Sequence, residues 1–571
     1  MSLLQADLVL LHAPSVYDFR KRALMPGPIS DVIPSTPIFE MYPVGFSSIS
    51  EYLRKRGYSV RIVNLAYLML KDKAFNVEER VRKLKPKAFG IDLHWLPHVQ
   101  GSLEVAAICK KYHPETPVIF GGYSASYFHE ELVCYPQVDF VIRGDSAEES
   151  LYQLLLSFEG RIPLSNIPNL TYRGRGGVRI NPLTIVSQDL NEASNDYLGL
   201  FRSALRFLDV QGFTAIHDWW EYPITAVMTC RGCTQSCVIC GGSRQALRLY
   251  CGRERPAFRD PRLIVKDIEK INRYTDAPIF VVGDLRQGGE GYAHQIFKGL
   301  RDLKPENQIV LELFEPASSD YLREAARSIP SLNFEFSPES HDPEVREASG
   351  KFYTNQEMEE CIRIALESGC KKFDLFFMIG MPRQTYQSVM ENVEYCDYLL
   401  GSFDARLSPF ISPLAPFIDP GSIAYENARL LGYRILYRSL KDYCQALLAP
   451  SWKYTLGYET EWMTREEIVD STYQAALRLN RVKRAHGVIS EEVFHRMESR
   501  IQAALHLLKE IDRIINTFQG EDREEQLLRL KITVEKDDVS TLCEKGEIKW
   551  PVGAKRIKYF NIIKDLIGGQ G

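Results

Sequence analysis

Long apolar runs are missing from this 571-residue sequence: no stretch approaches the roughly 20 residues needed to cross a bilayer. Blocks of lysine and arginine are missing too. With 70 Lys+Arg against 74 Asp+Glu the formal net charge is −4, so no overall basic field draws in nucleic acid. The opening MSLLQADLVLLHAP lacks a basic n-region and a small-residue cleavage site, and a first core strand explains it better than a signal peptide. There is no internal repeat and no long low-complexity segment. The 12 cysteines also lack the spread of a secreted disulfide framework, since four fall within Cys230–Cys240 and a fifth is Cys251. The expectation left standing is a cytoplasmic, multi-domain globular protein with a metal site in a reducing compartment, making no nucleic-acid or membrane contacts.

What is present is alternation. Short apolar runs at Asp7–His12, Ser59–Asn64, Ala88–Leu93, Pro117–Phe120 and Asp139–Ile142 are separated by helical patterns at 45–56, 76–84, 99–112 and 146–158. Five strands with crossover helices predict an α/β, doubly wound (Rossmann-like) parallel sheet over residues 1–158, with ligands outside the strands' carboxyl ends. Residues 159–222 read as a connector with a hairpin around Arg173–Gly177. Over 223–421 six further strand–helix units, at 224–229, 278–282, 309–314, 332–336, 373–379 and 406–411, predict a partial (β/α)6 barrel of the TIM type. Residues 422–571 read as mainly helical, at 427–448, 465–485 and 490–517, with a short charged tail that has some β character.

The segment Thr229–Ser243 reads TCRGCTQSCVICGGS. Cys233, Cys237 and Cys240 follow directly on a predicted strand. Three thiolates on one loop can hold three irons of a 4Fe–4S cubane and leave the fourth iron open. Zinc also fits by count, because Cys230 and Cys233 pair with Cys237 and Cys240, although the two pairs stand closer than is usual in a zinc ribbon. Cys230 otherwise reads as a small buried residue ending a strand.

In this position CxxxCxxC resembles the radical S-adenosylmethionine (SAM) superfamily. Gly241, Gly242 and Ser243 sit where that family cradles the SAM methionine. Ser337, Glu339 and Ser340, followed by Gly350-Lys351, resemble its fourth-strand segment. Gly380 and Gln384 lie in Met378–Thr385, which is similar to its adenine-contacting fifth-strand segment; Gln384 replaces an acid there and Arg383 a glycine. The resemblance implies a 4Fe–4S cluster that reductively cleaves SAM, fed by a low-potential donor such as ferredoxin or flavodoxin.

Residues 7–158 resemble the cobalamin-binding domain that precedes the barrel in one large subgroup, the class B radical SAM methyltransferase-like proteins. The match rests on Tyr42–Gly45 opening a helix, on Tyr52–Val60, on Gly121-Gly122 and on Val141–Asp145 with Glu148. It marks Gly45, His94, Gly121 and Gly122 as candidate cobalamin contacts. The Asp-x-His-x-x-Gly motif that supplies an axial histidine is absent after the first strand, and the long loop 13–41 is expected to cover the lower face. His94, His98 and Trp95 also read as ordinary polar or packing residues beside a strand end. Trp219, Trp220, Trp452 and Trp462 read as packing.

Together these features imply a cobalamin-dependent radical SAM enzyme that methylates an unactivated carbon of a small-molecule or peptide substrate. Radical cyclisation or rearrangement with the same cofactors remains an alternative, as does a non-catalytic metal or cobalamin binder. Asp284, Glu312 and Glu315 at barrel strand ends are candidates either for orienting ligands or for structural pairing.

Overall fold

The computed structural model describes residues 5–25, 27–28, 42–192, 197–209, 211–212, 214–215, 224–414, 416–534, 542–548 and 557–567. Trp219, Trp220 and residues 29–41 of the long loop lie outside that set. Among the described residues no helix is long and apolar enough to cross a membrane.

Strands Gln5–His12, Val60–Asn64, Lys85–Asp92, Val118–Gly121 and Phe140–Ile142 form a parallel sheet in the order second, first, third, fourth, fifth. Both faces are covered. In the first strand Leu8 and Leu10 enter one hydrophobic core while Val9 and Leu11 enter the other, as alternate side chains of a doubly packed strand must. The order reverses between the first and third strands, so their carboxyl ends border the crevice where such sheets take ligands. The hairpin expected in the connector is present, and its strands Leu170–Gly174 and Gly177–Ile180 extend this sheet antiparallel from the fifth strand.

The second sheet comprises Thr225–Met228, Ile279–Val282, Ile309–Leu313, Leu332–Glu339, Lys372–Ile379 and Leu407–Pro413, all parallel and in sequence order. Its first and last strands do not pair, so the barrel stays partial. Helix Arg465–Ala485 packs along the last strand, where the Lys483 ammonium stands 4.3 Å from the Phe410 ring centre.

The C-terminal region departs from expectation at one place. Residues 427–448 are not one helix but a short turn Ala428–Leu431, a strand Tyr433–Ile435 paired antiparallel with Tyr458–Thr460, and a helix Leu440–Leu447. Gly432 breaks the pattern at φ 71°, where a Cβ would stand 2.4 Å from the Trp462 ring. The tail is helical over Gly520–Val534 and Tyr559–Ile567, and its expected β character is confined to an antiparallel bridge between Ile557 and Thr275.

Candidate active site and cofactor crevice

Gly232, at φ 102°, turns the chain out of the short strand Cys230–Arg231 and into the cysteine loop. Two backbone N–H groups already point at sulfur: Gln235 donates to Cys233 Sγ at 3.4 Å and Gly242 to Cys240 Sγ at 3.3 Å. Burial pushes the Cys233 thiol up to about 11, with Cys237 and Cys230 adding to it. The Cys240 thiol is also raised, by burial first, then by Asp419 and the other two thiols of the motif. Cys233, Cys237 and Cys240 thus share one loop, with N–H donors on two of the three sulfurs. Among the described residues no three His, Cys, Asp or Glu side chains stand together as a metal-ligand set. N–H donors aimed at sulfur suit a thiolate-held cluster. Cys230 turns away: its thiol donates to the Gly232 carbonyl, and it packs where a Cβ on Gly283 would sit 3.0 Å from its sulfur.

The resembling segments converge on this loop. Gly350 presses against it, with Ser236 O only 3.0 Å from where a Cβ would stand, and Val238 N–H donates to Ser349 O at 3.0 Å. Glu339 ends the fourth barrel strand at φ 67°, a left-handed conformation rare for a side-chain-bearing residue. Its Oε1 pairs with Lys351 Nζ at 2.8 Å, while its Oε2 is buried without a hydrogen-bond partner. Burial opposes the Lys351 charge, but the Glu339 carboxylate outweighs it and holds the ammonium above its ordinary range. Lys351 Nζ also donates to the Ser337 carbonyl. Gly241 N–H donates to Asp419 Oδ2 at 2.9 Å, and burial pushes that carboxyl up to about 6.

Other expected contacts are spent on structure. Ser243 caps helix Arg244–Cys251 by accepting from Ala246 N–H. Ser340 donates to Asn392 Oδ1 and accepts from Asp342 N–H. Gln384 is fully buried; its Oε1 accepts from Gly380 and Met381 N–H and its Nε2 donates to Met378 O, so it locks the turn. Gly380 is required there, because a Cβ would meet Tyr458 Oη at 2.6 Å. Asp284 is likewise structural, paired with Arg286 and accepting from Phe314 N–H at 2.9 Å. Glu312 differs: burial pushes it up to about 7, although Gly283 N–H donates to it. Glu315 is exposed. Tyr458 reaches the Gly380 turn, whereas Trp452, read as packing, donates its indole N–H to Tyr473 Oη and Tyr454 donates to Asp512.

At the crevice of the first sheet, Asp92 ends the third strand and accepts from two imidazoles. His12 Nδ1 lies 2.9 Å from Oδ1 and His94 Nδ1 lies 2.7 Å from Oδ2. Burial alone would raise this carboxyl, but the two imidazoles hold it well below the usual range. His98 packs 4.9 Å from His12 and 5.6 Å from His94 between ring centres, and burial pushes it down to about 3. Gly122 has φ 117°, and a Cβ there would meet the His94 backbone at 2.5 Å; on Gly121 the nearest atom would be 3.7 Å away. Only Gly121 leaves room for a ligand against the backbone. Gly45 opens helix Gly45–Lys55 at the same edge with nothing within 4 Å of a Cβ.

Residue patterns did not reveal how the two sheets meet. Arg231, two positions before Cys233, donates to Glu148 at 2.9 Å, and Arg253 donates to Asp145 at 3.0 Å. The Arg-Gly-Asp ending of the first domain thus receives arginines from the barrel, a partnership for which one chain carries no local signal.

Two family profiles match in the order of the two sheets: "B12 binding domain" over residues 32–152 and "Radical SAM superfamily" over residues 227–396. The chain is 22% identical over 255 residues to an anaerobic magnesium-protoporphyrin IX monomethyl ester cyclase from Synechocystis sp., covering 43% of this chain and 46% of that protein. It is 24% identical over 307 residues to a hopanoid C-3 methylase from Methylococcus capsulatus, covering 50% and 54%. The chain thus spans about half the length of the relatives it matches. The solved structure of the radical SAM methyltransferase TsrM from Kitasatospora setae, with cobalamin and a 4Fe–4S cluster bound, superposes with a TM-score of 0.58 at 13% identity, covering 93% of this chain and all of that one; it is similar in fold. With a B12 binding domain ahead of a radical SAM barrel, the chain belongs to the cobalamin-binding-domain radical SAM proteins.

Proposed function

We propose that this chain is a methyltransferase acting on an unactivated carbon of a small-molecule or peptide substrate. It would hold a 4Fe–4S cluster on Cys233, Cys237 and Cys240, SAM beside it, and cobalamin in the crevice of the first sheet. One observation carries the reading: Arg231, just ahead of the cysteine loop, and Arg253, beyond the helix that follows it, bond to the carboxyl edge of that sheet, so the two cofactor positions would be neighbours. When bound, the cluster supplies the electron that cleaves SAM and cobalamin carries the methyl group. The residues of the chain do the positioning. Lys351 neutralises one oxygen of Glu339 and leaves Oε2 to accept from a ligand's hydroxyl or ammonium. Glu312, poised near neutrality, can hold a proton at the barrel mouth. The SAM contacts supported best are Gly241, Gly242, Ser337 and Glu339, while Ser243, Ser340, Gly380 and Gln384 shape their loops. A low-potential ferredoxin or flavodoxin in the cytoplasm fits as electron source.

The test is product mass after incubation with methyl-deuterated SAM, a low-potential reductant and cobalamin. Label in the product is expected. Turnover without label would favour the second reading, radical cyclisation, which the cyclase relative supports. A colourless protein with zinc and no iron after anaerobic purification would favour a non-catalytic binder.

A further inference from the structure

Four groups at the crevice are unusual for a buried site. Asp92 carries two imidazoles on one carboxylate, yet the outer nitrogens of His94 and His98 have no hydrogen-bond partner although both atoms are buried. Tyr42 Oη, from the segment that opens the first helix, is also buried without a partner, and the Tyr42 ring lies 5.9 Å from His12. Buried polar atoms are almost always bonded, so several orphans in one place ask for a ligand. The place is the reversal of strand order, where a sheet of this topology takes one.

The two orphan imidazoles differ. His98 is fully buried and its Nδ1 bonds the Ala13 carbonyl at 3.1 Å, which sets it behind the site as packing. The His94 side chain is 26% exposed, so part of its ring reaches the crevice surface while Nε2 itself lies just beneath it. Its Nδ1 faces the Asp92 carboxylate, which can only accept, so in the neutral ring Nδ1 carries the hydrogen and Nε2 the lone pair. A carboxylate behind an imidazole is the arrangement that fixes the tautomer and raises the basicity of a metal-ligating histidine. His94 is further pinned by its own backbone, which packs on Gly122 so closely that no Cβ fits between them.

We propose that His94 Nε2, oriented by Asp92, is an axial ligand to the cobalt of a corrin bound in this crevice. The assignment rests on the cobalamin reading above and adds the ligand. It replaces the histidine that the loop after the first strand lacks with one from the loop after the third.

The test reads the metal, not turnover. The full-length chain is labelled with nitrogen-15 histidine, loaded with hydroxocobalamin, desalted, reduced to the cobalt(II) state and examined by electron paramagnetic resonance. An axial nitrogen-15 splits each cobalt line into two, whereas an axial nitrogen-14 from the corrin's own nucleotide base splits it into three. Doublets are expected, and they should vanish in His94→Gln while cobalamin stays bound. Triplets, or unsplit lines, in the labelled wild type overturn the assignment. So do doublets that survive in His94→Gln and disappear in His98→Gln. Because the labelled wild type decides alone, a variant that fails to fold does not blunt the test. A chain that emerges from desalting without cobalamin overturns the cobalamin reading itself, and this inference with it.

Discussion

Arg253 and Asp145 stand 108 positions apart in sequence and meet as an ion pair whose side chains are 1% and 2% exposed. Arg253 also donates to Ser187 O at 2.9 Å and to Ser146 Oγ at 3.3 Å. A pair this deep is maintained by having both members present. Removing one strands a buried charge, which costs about 3–5 kcal/mol, whereas replacing both by apolar groups is often near neutral. We therefore expect Arg253→Met to be strongly destabilising in urea unfolding, and the double variant Arg253→Met/Asp145→Leu to recover most of the loss. Additive losses would refute the coupling.

Gly121 and Gly122 should respond differently to alanine. At Gly122 the backbone conformation is one that L-residues rarely adopt, and the new Cβ would collide with the His94 backbone, so at least about 1–3 kcal/mol is expected to be lost. At Gly121 the nearest neighbour is at ordinary contact distance, so stability should change by no more than about 0.5 kcal/mol. Gly121→Ala should nevertheless retain less cobalamin after desalting. Equal stability of the two variants would contradict the geometry.

The cysteines make a third contrast. Alanine at Cys233, Cys237 or Cys240 should each abolish iron and sulfide incorporation on anaerobic reconstitution, together with the brown absorption. Cys230→Ala should keep both, because its thiol is directed at the Gly232 carbonyl. Loss of iron in Cys230→Ala alongside zinc in the wild type would revive the four-cysteine zinc site.

Acid should loosen the hairpin of the first sheet through His129. Its Nδ1 lies 3.1 Å from Thr171 Oγ1, and burial followed by the charge of Arg143 pushes it down to about 4 from 6.5. Between those values the unfolded chain binds the proton that the fold refuses. The stability attached to this residue is therefore complete above pH 6.5 and drains away as pH falls towards 4. In His129→Gln that part of the pH dependence should be absent, which a series of urea midpoints for both proteins would show. A wild-type-minus-variant difference that stays flat over the window would remove His129 from the account.

Much of the architecture was legible in the sequence because short apolar runs bounded by turn residues leave little choice. Helix Val99–Tyr112 and the strand beginning at Ile309 start where periodicity places them. The misreading at 427–448 has a plain cause: Leu430, Leu431 and Tyr433 keep helical spacing, while Gly432 and the ring of Trp462 impose a turn that spacing cannot express. At the site, loops could be found but not the duties of individual side chains. Gln384 and Ser340 stand in resembling segments, yet their polar atoms are consumed by neighbouring backbone and Asn392. Asp419 and Lys351 act from distant positions, so only the folded chain brings them to the cysteines.

One contact bears on the order of assembly. The Lys531 ammonium donates to the carbonyls of Phe19 and Arg20, each at 2.9 Å, and to that of Arg22; the first of these bonds spans 512 positions. The loop after the first strand is thus clasped by a helix that leaves the ribosome long after the first sheet has been made. During synthesis that sheet spends its time with an unfastened front, and the clasp closes late.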